Sequence, residues 1–283
     1  MGQPVAVVTE SVSCLTPSLC GEWGILLVPM WVLRGEHGYR DGIDVTVREV
    51  LTWLAEGPPY PTASAPSPAD YLAAFEEVAR QGAERVVVLT VARWLSAAHD
   101  HARRAAARSP IPVEVVDTGT AAAAQGLVVR EAARRLWMGV PVEEVRRWVA
   151  QAGPRARLVA LVRSLEHLAR SGRIPRLVHL LNRRLGTVPL LAIGEGRVRR
   201  AGVAPGYEAA VRRLVAEVQR ARRHATWLQV AVTGVGMPEE AQRLAQTLRE
   251  LRVADALDLL PFTPVMAVNT GPEVLGVAYL AEP

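Results

Sequence analysis

Short β-branched runs alternate with stretches of helical periodicity through the first half of the chain. VAVVTE (5–10), ILLVPMWVL (25–33), RVVVLTV (85–91) and VEVVDT (113–118) read as strands, and the segments between them repeat apolar residues at helical spacing. That alternation is the pattern of parallel strands joined by crossover helices. The helix ends are well marked. Thr46 and Glu49 form a capping box ahead of VREVLTWLAE, which Gly57 ends. Ser67 caps a second helix with Pro68 at its first position and a stop at Gly82. Further helices are predicted near 94–108, 121–138 and 142–152.

Around AQAGPRARLVALV the tempo changes, and we place a domain boundary near residue 155. SLEHLARSG reads as a polar helix and is followed by RIPRLVHLLNRRLG. VPLLAI and RVRRAGV then read as short strands either side of the turn GEG. A helix over 206–223, a strand over 226–235, a helix over 238–252 and strands near DLLPFTP and GVAYLA complete the chain. The mixture of hairpin-like and crossover connections predicts a smaller mixed sheet.

At 283 residues, half of them hydrophobic, the chain has the material for two domains. No run of about 18 uncharged apolar residues appears. The opening MGQPVAVVTESVS lacks a basic region followed by an apolar run, so the expectation is a soluble, cytoplasmic protein without a secretory signal or membrane insertion. The net charge of +5 raises the question of nucleic acid. All 33 basic residues are Arg, however, and ARRAAARS, EAARRLW and EEVRRWVA set them along helix faces beside Glu. With two Phe and five Tyr, base-stacking platforms are scarce, and nucleic acid is not the expected partner.

The familiar catalytic signatures are missing. A Walker loop needs a Lys, and TGVGMPEE holds only two of the three glycines of a dinucleotide-binding turn. Cys14 and Cys20 have no metal-ligand spacing. His99 and His101 of HDH point about 200° apart on a helix, so they cannot share a metal ion. No cofactor is implied. An acyl-transfer or hydrolytic enzyme using Ser96 with His99 or His101 is the alternative class, but no orienting acid stands at a recognised spacing. What is distinctive is the set of hydroxyls after the predicted strands: Ser11, Thr90, Ser96 and Thr118. Open parallel sheets bind ligands at that edge, and hydroxyls with free helix-start amides suit a carboxylate. Taken singly, each of the four reads first as a helix cap; their shared location is what points to a ligand.

Several segments, taken in order, resemble the DegV family of bacterial lipid-binding proteins. VVTESV is similar to the family's strand followed by Asp-Ser-Thr, with Glu10 for the Asp and Val12 for the Thr. VPMWV and YRDGIDVTVREVL resemble its Val-Pro-Leu strand and Tyr-x-Asp-Gly lead-in. PTASAPSP is similar to its Pro-Thr-Thr-Ser-Gln-Pro-Ser loop and keeps Thr62 and Ser64, with Ala63 and Ala65 for the second Thr and the Gln. ARWLSAAHDHA keeps Leu95 and Ser96 of its Leu-Ser-Gly-Thr-Tyr segment, and VVDTGTAAAAQGLVV follows its Val-x-Asp-Ser element. LARSGRI matches at Ser171, Gly172, Arg173 and Ile174. NTGPEVLGVAY resembles its closing His-x-Gly-Pro-Gly-x-Leu-Gly, with Asn269 for the His and Glu273 for a Gly.

The resemblance implies a two-domain α/β fold. An N-terminal three-layer α/β/α domain with a parallel sheet would span 1–155, and a smaller α/β domain with a mixed sheet would span 156–283 and close a tunnel. It implies a long-chain fatty acid held between them and no catalysis. Thr62, Ser64 and Ser96 would donate to the carboxylate, with Arg173 as a nearby cation and Asn269 in the place of the family's His. Arg173 reads equally as a tie between the domains. Members that serve a fatty acid kinase present the acid to that partner for phospholipid synthesis and carry an Arg after the second-domain hairpin; here the corresponding place falls near Pro205.

Overall fold

The computed structural model describes residues 5–174, 186–194 and 196–283. In chain order the first part forms β1 (Val5–Glu10), α1 (Pro17–Trp23), β2 (Ile25–Val28), β3 (Trp31–Arg34), β4 (His37–Arg40), α2 (Val47–Glu56), β5 (Thr62–Ser64), α3 (Pro68–Arg80), β6 (Arg85–Thr90), α4 (Ala98–Ala106), β7 (Val113–Asp117), α5 (Ala122–Trp137) and α6 (Val142–Ala152). There follow β8 (Ala156–Val162), α7 (Glu166–Arg170), β9 (Val188–Gly194), β10 (Arg197–Ala204), α8 (Tyr207–Arg222), β11 (Trp227–Val235), α9 (Pro238–Glu250), β12 (Ala256–Leu259), α10 (Pro264–Thr270) and β13 (Val274–Glu282). Most of RIPRLVHLLNRRLG lies outside the described residues.

Both capping boxes form, at Thr46 with Glu49 and at Ser67 with Asp70. β1, β2, β6 and β7 make a parallel sheet in the order β2-β1-β6-β7. α3 packs on α4, and α1 and α6 pack on α5, so helices cover the sheet on both faces. The second sheet has the order β10-β9-β8-β13-β11-β12, antiparallel throughout except for the parallel pair β11 and β12. It is therefore mixed, as the connections predict, but with six strands against four it is the larger sheet rather than the smaller one expected.

Three expectations change. The single strand expected over 25–33 is two strands in different sheets. Pro29 has no N–H to give a ladder, and the amide of Met30 is taken by Ser11 Oγ at 2.9 Å. β3 then pairs with β4 and β5 in a small antiparallel sheet, so the small-residue loop PTAS is partly a strand. The helix expected from about 94 begins at Ala98, because Leu95 N bonds Ala92 O (2.8 Å) in a turn and Ser96 Oγ accepts from Ala98 N (3.2 Å). ARLVALV, read only as a change of tempo, is β8, a central strand buried on both faces.

α5 lies between the two large sheets, touching β1 on one side and β8, β11 and β13 on the other. Its run of small residues is the reason it can do so: Ala122, Ala123, Ala124, Gly126 and Ala132 are all buried. On the far face of the second sheet, Val159, Leu161, Leu228, Val230 and Val277 pack with α8 and α9 in a separate core. Many arginines pair with acids one turn away, among them Arg134 and Arg135 with Glu131, Arg170 with Glu166 and Arg243 with Glu240. Arg197, Arg199 and Arg200 stand exposed on the edge strand β10. Among the described residues no helix is long and apolar enough to cross a membrane.

A Cβ at Gly126 would lie 2.4 Å from the carbonyl oxygen of Ser13, a main-chain atom that cannot swing aside. Gly126→Ala is therefore expected to destabilise the chain by about 1–3 kcal/mol, the range for overpacking in a close-packed core. Chemical denaturation of the two chains measures it; unchanged stability would show that α5 is free to shift.

Candidate ligand-binding site

Where the loops after β1 and β6 meet α10 and the second sheet, they line a narrow apolar cavity open at its mouth. Its sheet wall follows from register. Leu158, Ala160 and Val162 are alternate residues of β8; Leu191 lies beside Ala160, Ile193 beside Leu158, and Val198 beside Ile193. From the first sheet's side come Val12, Met30, Val91 and Leu95. α10 presents Met266, Asn269 and Thr270, spaced one helical turn apart on one face.

Among the described residues the polar lining is confined to Ser96, Arg173, Asn269 and Thr270. Thr270 Oγ1 already donates to Met266 O (2.8 Å). Ser96 Oγ accepts from Ala98 N, which leaves its proton for another partner. Asn269 Oδ1 is buried without a hydrogen-bond partner. Arg173 is half-buried, and burial lowers its pKa. One guanidinium nitrogen donates to Ser171 O (2.5 Å), and among the described residues no carboxylate pairs with it.

An outer hollow adjoins this end, lined by Ser64, Ser96, His101 and Arg173 among others. Of the five residues singled out from the sequence, Ser96 and Arg173 line both spaces, Asn269 the cavity and Ser64 the outer hollow. Thr62 is exposed at the start of β5 and lines neither. The four strand-end hydroxyls divide in the same way. Only Ser96 reaches the cavity; Thr118 Oγ1 donates to Thr90 O (2.8 Å), and Thr90 Oγ1 lies 3.1 Å from His99 Nδ1.

His99 is buried, and desolvation lowers its pKa. His101 Nδ1 lies 2.7 Å from the carbonyl oxygen of Pro66, which can only accept, so that nitrogen carries the proton. The Nδ1 atoms of both histidines are thus engaged away from any carboxylate. Burial also pushes the Cys20 thiol up to about 11 and the Cys14 thiol further.

Two buried carboxyl groups hold the site's loops. Glu10 Oε1 accepts from Tyr71 Oη (2.5 Å), and Oε2 accepts from Val91 N (3.0 Å) and Gln125 Nε2 (2.9 Å). Asp41 accepts from Ser11 Oγ (2.6 Å) and from Val265 N (2.8 Å) in the first turn of α10. Burial raises both carboxyl pKa values, against the lowering effect of these hydrogen bonds. Neither role was legible in the residue pattern, because the donors stand far away along the chain.

Residues 4–282 match the model of the family described as "Uncharacterised protein, DegV family". The chain belongs to the DegV family. A DegV domain-containing protein of Streptomyces coelicolor is 31% identical over 279 residues, 98% of each chain. One of Deinococcus radiodurans is 32% identical over 275 residues, 97% of each chain. A DegV family protein from Thermus thermophilus, described as fatty acid binding, superposes with a TM-score of 0.90 at 29% identity, covering 98% of this chain and 99% of its own.

Within this DegV fold the Glu10 contribution to stability has a definite sign. The folded chain holds a proton that the unfolded chain releases, so the contribution is fully present below the unfolded pKa of about 4.3 and is lost as pH rises toward the folded value. Glu10→Gln can keep the network, its amide nitrogen donating to Tyr71 Oη and its oxygen accepting from Val91 and Gln125. Thermal unfolding followed from about pH 4 to pH 8 is expected to lack, in Glu10→Gln, the loss of stability that Glu10 contributes to the parent chain, while Asp41, whose pKa is raised, and His99 and His167, whose pKa values are lowered, act on both chains alike. Equal slopes would mean that Glu10 is ionised in place.

Proposed function

We propose that the cavity binds a long-chain fatty acid, with its carboxylate at Ser96, Arg173 and Asn269 and its tail among the apolar residues between the unit of 1–155 and that of 156–283. The observation that carries this reading is Arg173: a half-buried guanidinium without a carboxylate partner among the described residues, at the rim of a largely apolar cavity. Ser96 supplies a free hydroxyl proton, and Asn269 can donate only through its amide nitrogen, its orphaned Oδ1 being an acceptor like the carboxylate itself. Ser64 stands in the outer hollow, within the loop the resemblance marks. The fatty acid binding described for the Thermus thermophilus protein supports the same reading.

Affinity comes from the tail. A buried methylene is worth about 0.8 kcal/mol, so a chain of roughly 15 carbons supplies on the order of 10 kcal/mol before ordering costs. The head-group bonds then orient the acid. Such a protein is a cytoplasmic carrier rather than a catalyst, and the engaged histidines are in keeping with that role. Delivery to a fatty acid kinase would be the next step. Pro205, exposed ahead of α8, offers such a partner no charge.

Protein purified from a bacterial host and extracted into organic solvent is expected to yield a fatty acid in stoichiometric amount by mass spectrometry. Empty protein that also refuses added acids would overturn the reading. Ser96→Ala combined with Arg173→Gln is expected to weaken binding of the free acid roughly tenfold or more, the size of a lost charge-assisted hydrogen bond, while leaving its methyl ester nearly unaffected. Titration calorimetry with both ligands makes that comparison.

A further inference from the structure

Phe262 is one of the two phenylalanines in the chain and is buried. It borders two spaces. On one side is the cavity with Met266 and Asn269; on the other is a largely apolar surface groove formed by Val47, Leu51 and Ala55 of α2 facing Val235, Met237 and Pro261. The groove is open to solvent.

The ring's anchorage is firm. Phe262 N donates to Gly234 O (2.9 Å), Leu260 N to Val232 O (2.9 Å), and Thr233 Oγ1 to Leu260 O (2.5 Å), so the segment runs on beside β11 past the end of β12. Phe262 and Met266 are four residues apart, and Asn269 stands at the other end of α10. Phe262 precedes the first turn of α10 and Asn269 lies in its last, so the two border the cavity from opposite ends of that helix.

We infer that Phe262 sets the length of acyl chain the cavity accepts, its ring being the wall at which the methyl end stops and beyond which the groove begins. The inference rests on the fatty acid reading above. Removing the ring joins the two spaces, and the end of a longer chain then lies in the groove against Leu51 and Met237. Each further methylene buried there raises affinity about fourfold.

The test offers the parent chain, Phe262→Ala and Phe262→Trp a mixture of straight-chain acids of increasing length and identifies the bound acids by mass spectrometry. The expected result is a shift to longer acids in Phe262→Ala and to shorter ones in Phe262→Trp. Leu51→Arg added to Phe262→Ala is expected to cancel the gain, because it places a charge where the chain end would lie. If the parent binds acids and the folded variants keep its length profile, Phe262 is not the stop, while the fatty acid reading stands. A parent chain that takes no acid overturns both. Where loss of the ring prevents folding, the Phe262→Trp profile alone decides between a shortened chain and no change.

Discussion

A carboxyl group sealed from water holds the first sheet's working edge together. Glu10 ends β1 with its side chain wholly inside the protein, and three donors converge on it from α3, from the residue after β6 and from α5. A buried polar group left without partners is costly, so none of the three can move away without penalty. Tyr71 fixes α3, Val91 fixes the start of the turn that carries Ser96, and Gln125 fixes α5 beneath the second sheet. Asp41 does the same for the other wall, joining Ser11 to the first turn of the helix that carries Asn269.

The cavity inherits its rigidity from these two groups. The polar positions at one end are held from behind by carboxyl groups that do not themselves line the space. Recognition and support are thereby separated: Ser96, Arg173 and Asn269 are left with unused hydrogen-bonding capacity, while Glu10 and Asp41 spend theirs on the protein. The apolar walls come from alternate residues of strands and from one helix face. That is why the lining is scattered along the chain yet continuous in space.

Much of the architecture was legible in the residue order. Capping boxes mark the starts of α2 and α3, and α6 spans the residues its apolar spacing predicts, because local hydrogen bonds and periodicity decide those boundaries. The small sheet of β3, β4 and β5 was not legible: its strands are three or four residues long, too short for alternation to show, and two of them pair across about thirty intervening residues. The site was read unevenly for a related reason. Two residues of strand span about 7 Å, enough for Ser64 to line the outer hollow while Thr62, its neighbour in the same motif, does not. Glu10 could be noticed only as a substitution within a resemblance, since Tyr71, Val91 and Gln125 meet it only in the folded chain.

The exposed arginines of β10 have a consequence for how molecules meet one another. Among the described residues β10 ends the second sheet, with no strand paired to its outer side. Such a margin invites another chain to add itself on and begin an ordered aggregate. Arg197, Arg199 and Arg200, together with the register shift between Arg200 and Gly202, make that margin charged and uneven. Two copies approaching through β10 would bring like charges together before any main-chain bond could form. In a chain without lysine, any such repulsion between neighbouring molecules falls to arginine.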